Sequence, residues 1–184
     1  MILPIVAYGD PILKKVAKPI SKDYPGLKEL IENMNETMLH ANGLGLAAPQ
    51  IGLSIRLFVV DGTHIEKEEL KDFKKVFINA TILKEEGENW SYNEGCLSIP
   101  GIREDIFRQP VIKVNYVDEN FNEHTEEYKG IAARVIQHEY DHIEGTLFTD
   151  RISFIRKRLL KNKLLDISKG VVDVDYKMKF PLKK

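Results

Sequence analysis

The sequence predicts an α+β fold: small mixed or antiparallel sheets packed around a central helix that carries an H-E-x-x-H pattern. Three observations lead there. RLFVV (56–60), VFINATIL (76–83) and VIKVNYV (111–117) are rich in β-branched residues and bounded by turn formers, as strands are. Helical periodicity is confined to separate stretches, among them 131–145. Strands and helices do not alternate as a doubly wound sheet requires.

Taken in order, GDPILKKVA reads as a short helix with Asp10 as N-cap and Pro11 at the first position, where its missing N–H costs nothing. From Asp23 to Asn42, the residues Leu27, Leu30, Ile31, Met34, Met38 and Leu39 keep helical spacing, and Gly43 is expected to cap the end. After the first strand, HIEKEELKDFKK is a charged excursion, read as a solvated surface insertion. In IAARVIQHEYDHIEG the apolar stripe of Ile131, Val135 and Ile136 runs on into His138 and His142. A third helix is expected near 152–167, and VVDVDYKMKF alternates like an edge strand. No repeat, low-complexity tract or linker interrupts the chain. Residues 1–184 are therefore read as a single domain with a short C-terminal helix and a strand-like tail.

Composition narrows the function classes. At 184 residues the chain can bury a sizeable core. It is 43% hydrophobic and 30% charged with net charge −1, which gives no reason to expect nucleic acid or an anionic membrane as main partner. No apolar run approaches the ~20 residues that cross a bilayer. The start, MILPIVAYGDP, lacks the basic and long apolar regions of a signal peptide. Cys96 is the single cysteine, so no intramolecular disulfide is expected, and a lone thiol suits a reducing cytoplasm.

VIQHEYDHIEG (135–145) carries the strongest chemical signal. Residues i and i+4 of a helix project from one face, so His138 and His142 can aim their rings at one point, with Glu139 about 100° further round. With five histidines in the chain, the pattern would arise by chance about 0.01 times. A polar helix face is the bland reading. A catalytic zinc-like site needs three protein ligands and an open position. The peptidase pattern with a third downstream histidine fails here, because Phe148 occupies that position. The missing ligand is therefore sought upstream, in NEGCLSIPG (93–101), where Cys96 is the only soft donor in the chain. Alone it reads as a buried structural thiol; beside a histidine pair lacking a third ligand, it reads as that ligand.

GLGLAAPQIG (43–52) matches G-x-G-x-x-A, but a helix ends before it and Pro49 breaks any helix after it, so the dinucleotide reading fails. There remains a small-residue backbone segment ending in Gln50. It can line a cleft and pair with an extended peptide as an added strand, or else form a tight turn under the core.

Together GLGLAAPQIG, EGCLSIPG and QHEYDH are similar, in this order, to the three signature segments of the bacterial peptide deformylases. They cover 24 positions, and their order and spacing extend the resemblance from Tyr8 to Phe148. The C-terminal part departs from the best-known members, which end in a long helix. The resemblance implies removal of formate from the N-formyl-methionyl ends of nascent polypeptides. It implies one divalent metal, natively Fe(II), held by Cys96, His138 and His142, with Zn(II) or Ni(II) recovered after purification. Glu139 would be general base then acid, Gln50 and the N–H of Leu97 donors to the formyl oxygen, and Gly43, Leu44 and Gly45 the partners of the peptide backbone.

An apolar pocket for methionine is expected from Ile131 and Val135, within two turns before His138, with Tyr92 contributing from the Cys96 segment. Arg134 either lines that pocket with its stem or lies on a solvated helix face. Glu94 is expected to fix the cysteine loop or pair with Arg103 or Arg108, and Asp141 to orient a ligand, unless both are ordinary exposed carboxylates. The basic run from Arg156 to Lys163 suits weak ribosomal contact, although a solvated face explains it better. Two competing readings are a peptidase acting on ordinary peptide bonds and a structural metal module. The absent downstream ligand argues against the first and Glu139 against the second.

Overall fold

The computed structural model describes residues 1–66 and 68–182. In chain order the elements are β1 (Ile5–Val6), α1 (Leu27–His40), β2 (Gly45–Ala47), β3 (Leu57–Asp61), β4 (Lys74–Glu86) and β5 (Trp90–Cys96). After these come β6 (Ile99–Arg108), β7 (Val111–Val117), β8 (Glu123–Lys129), α2 (Gly130–Ile143), α3 (Phe154–Ser168) and β9 (Met178–Lys179).

The fold is α+β, with antiparallel pairing in its main sheet. That sheet has the order β2-β3-β4-β7-β8, β5 and β6 form a separate hairpin, and β9 pairs in parallel with β1. Side chains alternate across a strand, and β3 is buried at all five positions because both its faces are covered. Leu57 and Val59 join Ile31, Met34 and Met38 of α1 in one cluster, whereas Phe58 and Val60 join Ile136 and Ala133 of α2 in another. Hence Leu57 to Val60 read as an unbroken apolar run. Phe58 stacks on Phe77 of β4 at a centroid distance of 4.8 Å, filling the space under α2. Behind the β5–β6 hairpin, Leu160, Leu164 and Ile167 of α3 pack with Ile99, Ile102 and Ile106 of β6.

Several local expectations need correction. The helix expected over 23–42 begins only at Leu27, because Tyr24 and Pro25 lead into Gly26 in a left-handed N-cap. Its end is capped by Asn42 rather than Gly43. Asn42 takes φ +54°, its N–H reaches the Leu39 carbonyl at 3.0 Å, and Gly43 N–H reaches that of Met38 at 2.9 Å. The charged excursion is not wholly solvated. Leu70 is fully buried, and Glu69 accepts a hydrogen bond from Ile131 N–H, capping the start of α2; Lys67 of that segment lies outside the described residues. The tail forms a strand only over Met178–Lys179.

Strands β5, β6 and β8 have no counterpart in the sequence reading. In β6 the buried face is Ile102, Glu104, Ile106 and Arg108, so two charges occupy positions that patterning expects to be apolar. Glu104 is satisfied by Arg156 of α3 and Arg108 by Glu94 of β5, partners visible only in three dimensions. β8 is the outer strand of its sheet and buries only Tyr128, so its sequence, EHTEEYK, reads as loop.

Candidate active site

α2 places three functional side chains with one turn of helix. Its sheet-facing side buries Ala133, Ile136 and Ile143, and that packing turns His138 and His142 toward the β5–β6 hairpin. The two rings lie 5.2 Å apart between centroids. Gly145, at φ +71°, ends the helix: its N–H bonds to the His142 carbonyl and that of Thr146 to the Asp141 carbonyl, fixing the last turn. Phe148, where a peptidase would have its third histidine, instead stacks on His138 at 6.2 Å.

Cys96 ends β5, and Leu97–Ser98 form the hairpin turn, since Cys96 is paired with Ile99. This brings the thiol onto α2. The ligand atoms of Cys96, His138 and His142 lie within 4.8 Å of one another, and Cys96 Sγ is 3.4 Å from His142 Nε2. One thiolate and two imidazoles suit a soft or borderline divalent ion in a three-ligand site that keeps an open position. His138 Nδ1 is engaged by Glu94 Oε2 at 3.0 Å, which leaves Nε2 for the ion. The donor set and its spacing therefore fit a metal.

Glu94 is the residue the sequence reading undervalued. It is 4% exposed and binds His138, Arg108 (2.7 Å) and Arg134 (3.0 Å) at once. Burial alone would raise its carboxyl, but hydrogen bonds from His138 and Arg108 hold it well below the usual carboxylate range. Asp141 is equally buried, and its carboxylate takes Arg108 at 2.7 Å and Arg151 at 2.6 Å rather than orienting a histidine ring. Arg134 lines the cleft, as one expectation had it, but its guanidinium is buried rather than solvated, donating to Glu94 and to the carbonyls of Trp90 and Ile106. Arg103 pairs with Asn93 rather than Glu94. These groups bolt the hairpin to α2 and so set the distance from Cys96 to the histidines. The Glu94–Arg108 pair was among those expected; the links of Glu94 to His138 and Arg134 join segments far apart in sequence and were not.

The constellation opens into a cleft of about 570 Å³. Gly43, Leu44 and Gly45 form one wall at the outer edge of the main sheet; Tyr92, Cys96 and Leu97 form the facing wall. Val135, His138 and Glu139 form the floor, while His142 is buried beneath. Ile131 does not line this cleft; it packs against the Phe58–Phe77 cluster on the sheet side of α2. Gln50, in a 3₁₀ turn over Ala48–Ile51, is held by Ala47 N–H on its Oε1 (2.8 Å). Its Nε2 points to Ser98 Oγ (3.3 Å) and Cys96 Sγ (3.5 Å). Glu139 lies against Gly45, and burial pushes its carboxyl up to about 7. Its Oε2 is buried with no hydrogen-bond partner among the described residues. A carboxylate poised near neutrality beside a three-ligand cluster can accept and return protons.

A family model described as polypeptide deformylase matches residues 2–158. The chain belongs to the polypeptide deformylase family. It is 60% identical to the peptide deformylase of Christiangramia forsetii over 98% of this chain and 97% of that one. It is also 60% identical to that of Flavobacterium psychrophilum over the full length of both. A crystal structure of the peptide deformylase from Thermus thermophilus superposes with a TM-score of 0.83 at 41% identity, covering 92% of this chain and 99% of that one. As a deformylase, the chain is a hydrolase that removes the formyl group from newly synthesised polypeptides.

Proposed function

We propose that the cleft hydrolyses the formyl amide of N-formyl-methionyl termini, releasing formate, with Glu139 as the proton-transferring group. The observation that carries this reading is the buried, unpartnered Glu139 carboxylate beside Cys96, His138 and His142 at the floor of an open cleft. Those three residues hold one divalent metal, which when bound acts as a Lewis acid and lowers the pKa of water. Glu139 accepts a proton from the attacking water and returns it to the leaving amine, without which the amide does not break. Gln50 Nε2 and the N–H of Leu97 donate to the formyl oxygen as charge grows on it; losing one such donor typically costs ~3 kcal/mol of barrier. Gly43, Leu44 and Gly45, which lead into the outer strand β2, pair with the peptide backbone. Val135 and Tyr92 line the methionine pocket. A formyl carbon bears only hydrogen, so a narrow cleft admits it and rejects acetyl by bulk.

The native ion is Fe(II). A His₂Cys site binds Ni²⁺ and Zn²⁺ more tightly than Fe²⁺, so cellular supply selects iron, and protein handled in air is recovered with Zn(II) or Ni(II). The partner is the nascent chain in the cytoplasm, with no specific nucleic acid; the basic face of α3 is a solvated one, on which Arg156 and Lys157 are paired with Glu104 and Asp150. Among the described residues no helix is long and apolar enough to cross a membrane. The test is formate release from formyl-Met-Ala-Ser beside its unformylated and acetylated counterparts. Turnover of the formyl peptide alone is expected; cleavage of internal peptide bonds would replace the reading with a peptidase. Anaerobic stripping and reloading should give higher rates with Fe(II) or Ni(II) than with Zn(II).

A further inference from the structure

Three hydrogen bonds hold the turn that carries Leu97. Leu97 and Ser98 lie outside the β5–β6 ladder, which closes at the Cys96–Ile99 pair. Ser98, fully buried, is fixed by Tyr8 N–H on its carbonyl (2.8 Å) and by Gln50 on its hydroxyl (3.3 Å). The Leu97 carbonyl instead accepts the hydroxyl of Tyr176 at 2.8 Å. Tyr176 comes from the C-terminal tail, beyond the 2–158 matched by the family model. Backbone pairing locks it in place: Ile5 N–H bonds to the Lys177 carbonyl (2.8 Å) and Ala7 N–H to that of Lys179 (2.9 Å). The same segment, Asp173 to Tyr176, lines the cleft that holds Cys96 and Glu139, and the Tyr176 ring packs in the cluster containing Leu97.

We propose that Tyr176 is a positioning residue for hydrolysis: its hydroxyl fixes the turn so that the Leu97 N–H faces the formyl oxygen. This rests on Leu97 serving as a donor. A two-residue turn can rock its central peptide planes with its ends pinned, because opposite rotations about neighbouring bonds cancel. The Cys96 end is held by strand pairing and the Ser98 end by Tyr8 and Gln50, so Leu97 is the residue free to rock. A hydroxyl on its carbonyl fixes the Leu97–Ser98 peptide plane and with it the Leu97 Cα, so the neighbouring Cys96–Leu97 plane that carries the N–H is held between that point and the paired Cys96. The benefit appears when negative charge develops on the formyl oxygen, since a misaligned donor loses most there; ground-state peptide binding is little affected.

The experiment is Tyr176→Phe in the full-length, metal-loaded chain, a change that keeps the ring and its packing. With formyl-Met-Ala-Ser, kcat should fall about tenfold while KM stays within about twofold. Metal content and melting temperature should be unchanged, and amide hydrogen exchange at Leu97 and Ser98 should accelerate in metal-loaded and metal-stripped protein alike. Unchanged kcat overturns the proposal, as does unchanged exchange at Leu97 and Ser98. So does a rise in KM at constant kcat, which would make Tyr176 a substrate contact. A loss of kcat that tracks lost metal or a lower melting temperature would make its role merely structural. Failure of the parent reading shows elsewhere: Gln50→Ala at the full rate would mean that the formyl oxygen is not stabilised here at all.

Discussion

Gly45 carries the tightest atomic constraint in the site. A Cβ there would stand 2.5 Å from Glu139 Oε1 and 2.7 Å from its Cδ, so a side chain and the carboxylate cannot both occupy the space. Gly45→Ala should therefore displace Glu139 and lower kcat by about 100-fold with metal content unchanged, because an ångström of misplacement costs that much. Gly43→Ala clashes with the flexible end of Leu97, at 2.8 Å, its other neighbours lying at 3.4 Å, and should cost less; steady-state kinetics with metal analysis on both variants decide it. The glycines were legible as a small-residue segment, but the reason for Gly45 was not, since Glu139 belongs to a distant helix. His138 and His142 announce themselves through their spacing, and the structure brings Cys96 to them. Arg108 was one expected partner of Glu94, but the links of Glu94 to His138 and Arg134 gave no such signal. A lone charged residue reads as solvated until its buried partner is seen, and their partners lie on other elements.

At the scale of elements, the hairpin β5–β6 is held to α2 by charge rather than by apolar packing alone. Arg108 is 4% exposed and bridges Glu94 and Asp141, and its guanidinium is pushed above its ordinary pKa by both carboxylates, against the effect of burial. Arg108→Leu should cost about 3–5 kcal/mol in denaturant unfolding, because it strands buried carboxylates. Metal affinity should fall about 10–100-fold as Glu94 loses its support beside His138. A stability within about 1 kcal/mol of the parent, no more than an ordinary substitution costs, would show that the network is not needed. Strands β7 and β8 offer an acid test. Burial raises the Glu126 carboxyl, but hydrogen bonds from Lys75, Tyr128 and Tyr116 bring it from the ordinary 4.5 down to about 2. A folded value below the unfolded one gives stability that is present above about pH 4.5 and lost as pH falls toward 2. Glu126→Gln should flatten that part of a melting-temperature profile; an unaltered slope would assign the acid lability to other carboxylates. Strands with uniform or β-branched apolar patterns were legible, whereas β5, β6 and β8 were hidden because their inward or edge positions carry charges.

At the scale of the whole molecule, four separate parts of the chain meet at one cleft: the edge strand β2, the Leu97–Ser98 turn, helix α2 and the C-terminal tail. The first three contain the signature segments, which is why the function class was legible from sequence. The tail was read only as an edge strand, since its contribution depends on parallel pairing with β1 at the opposite end of the chain. The central claim is that Glu139 moves the proton at a site built from Cys96, His138 and His142. Replacing it by glutamine keeps size and shape but removes the base. The decisive measurement is formyl-Met-Ala-Ser turnover by Glu139→Gln, with metal content and circular dichroism recorded on the same preparation. The account predicts a fold and metal content unchanged and a rate lower by at least ~100-fold. A correctly metallated Glu139→Gln turning over at a near-normal rate would contradict it.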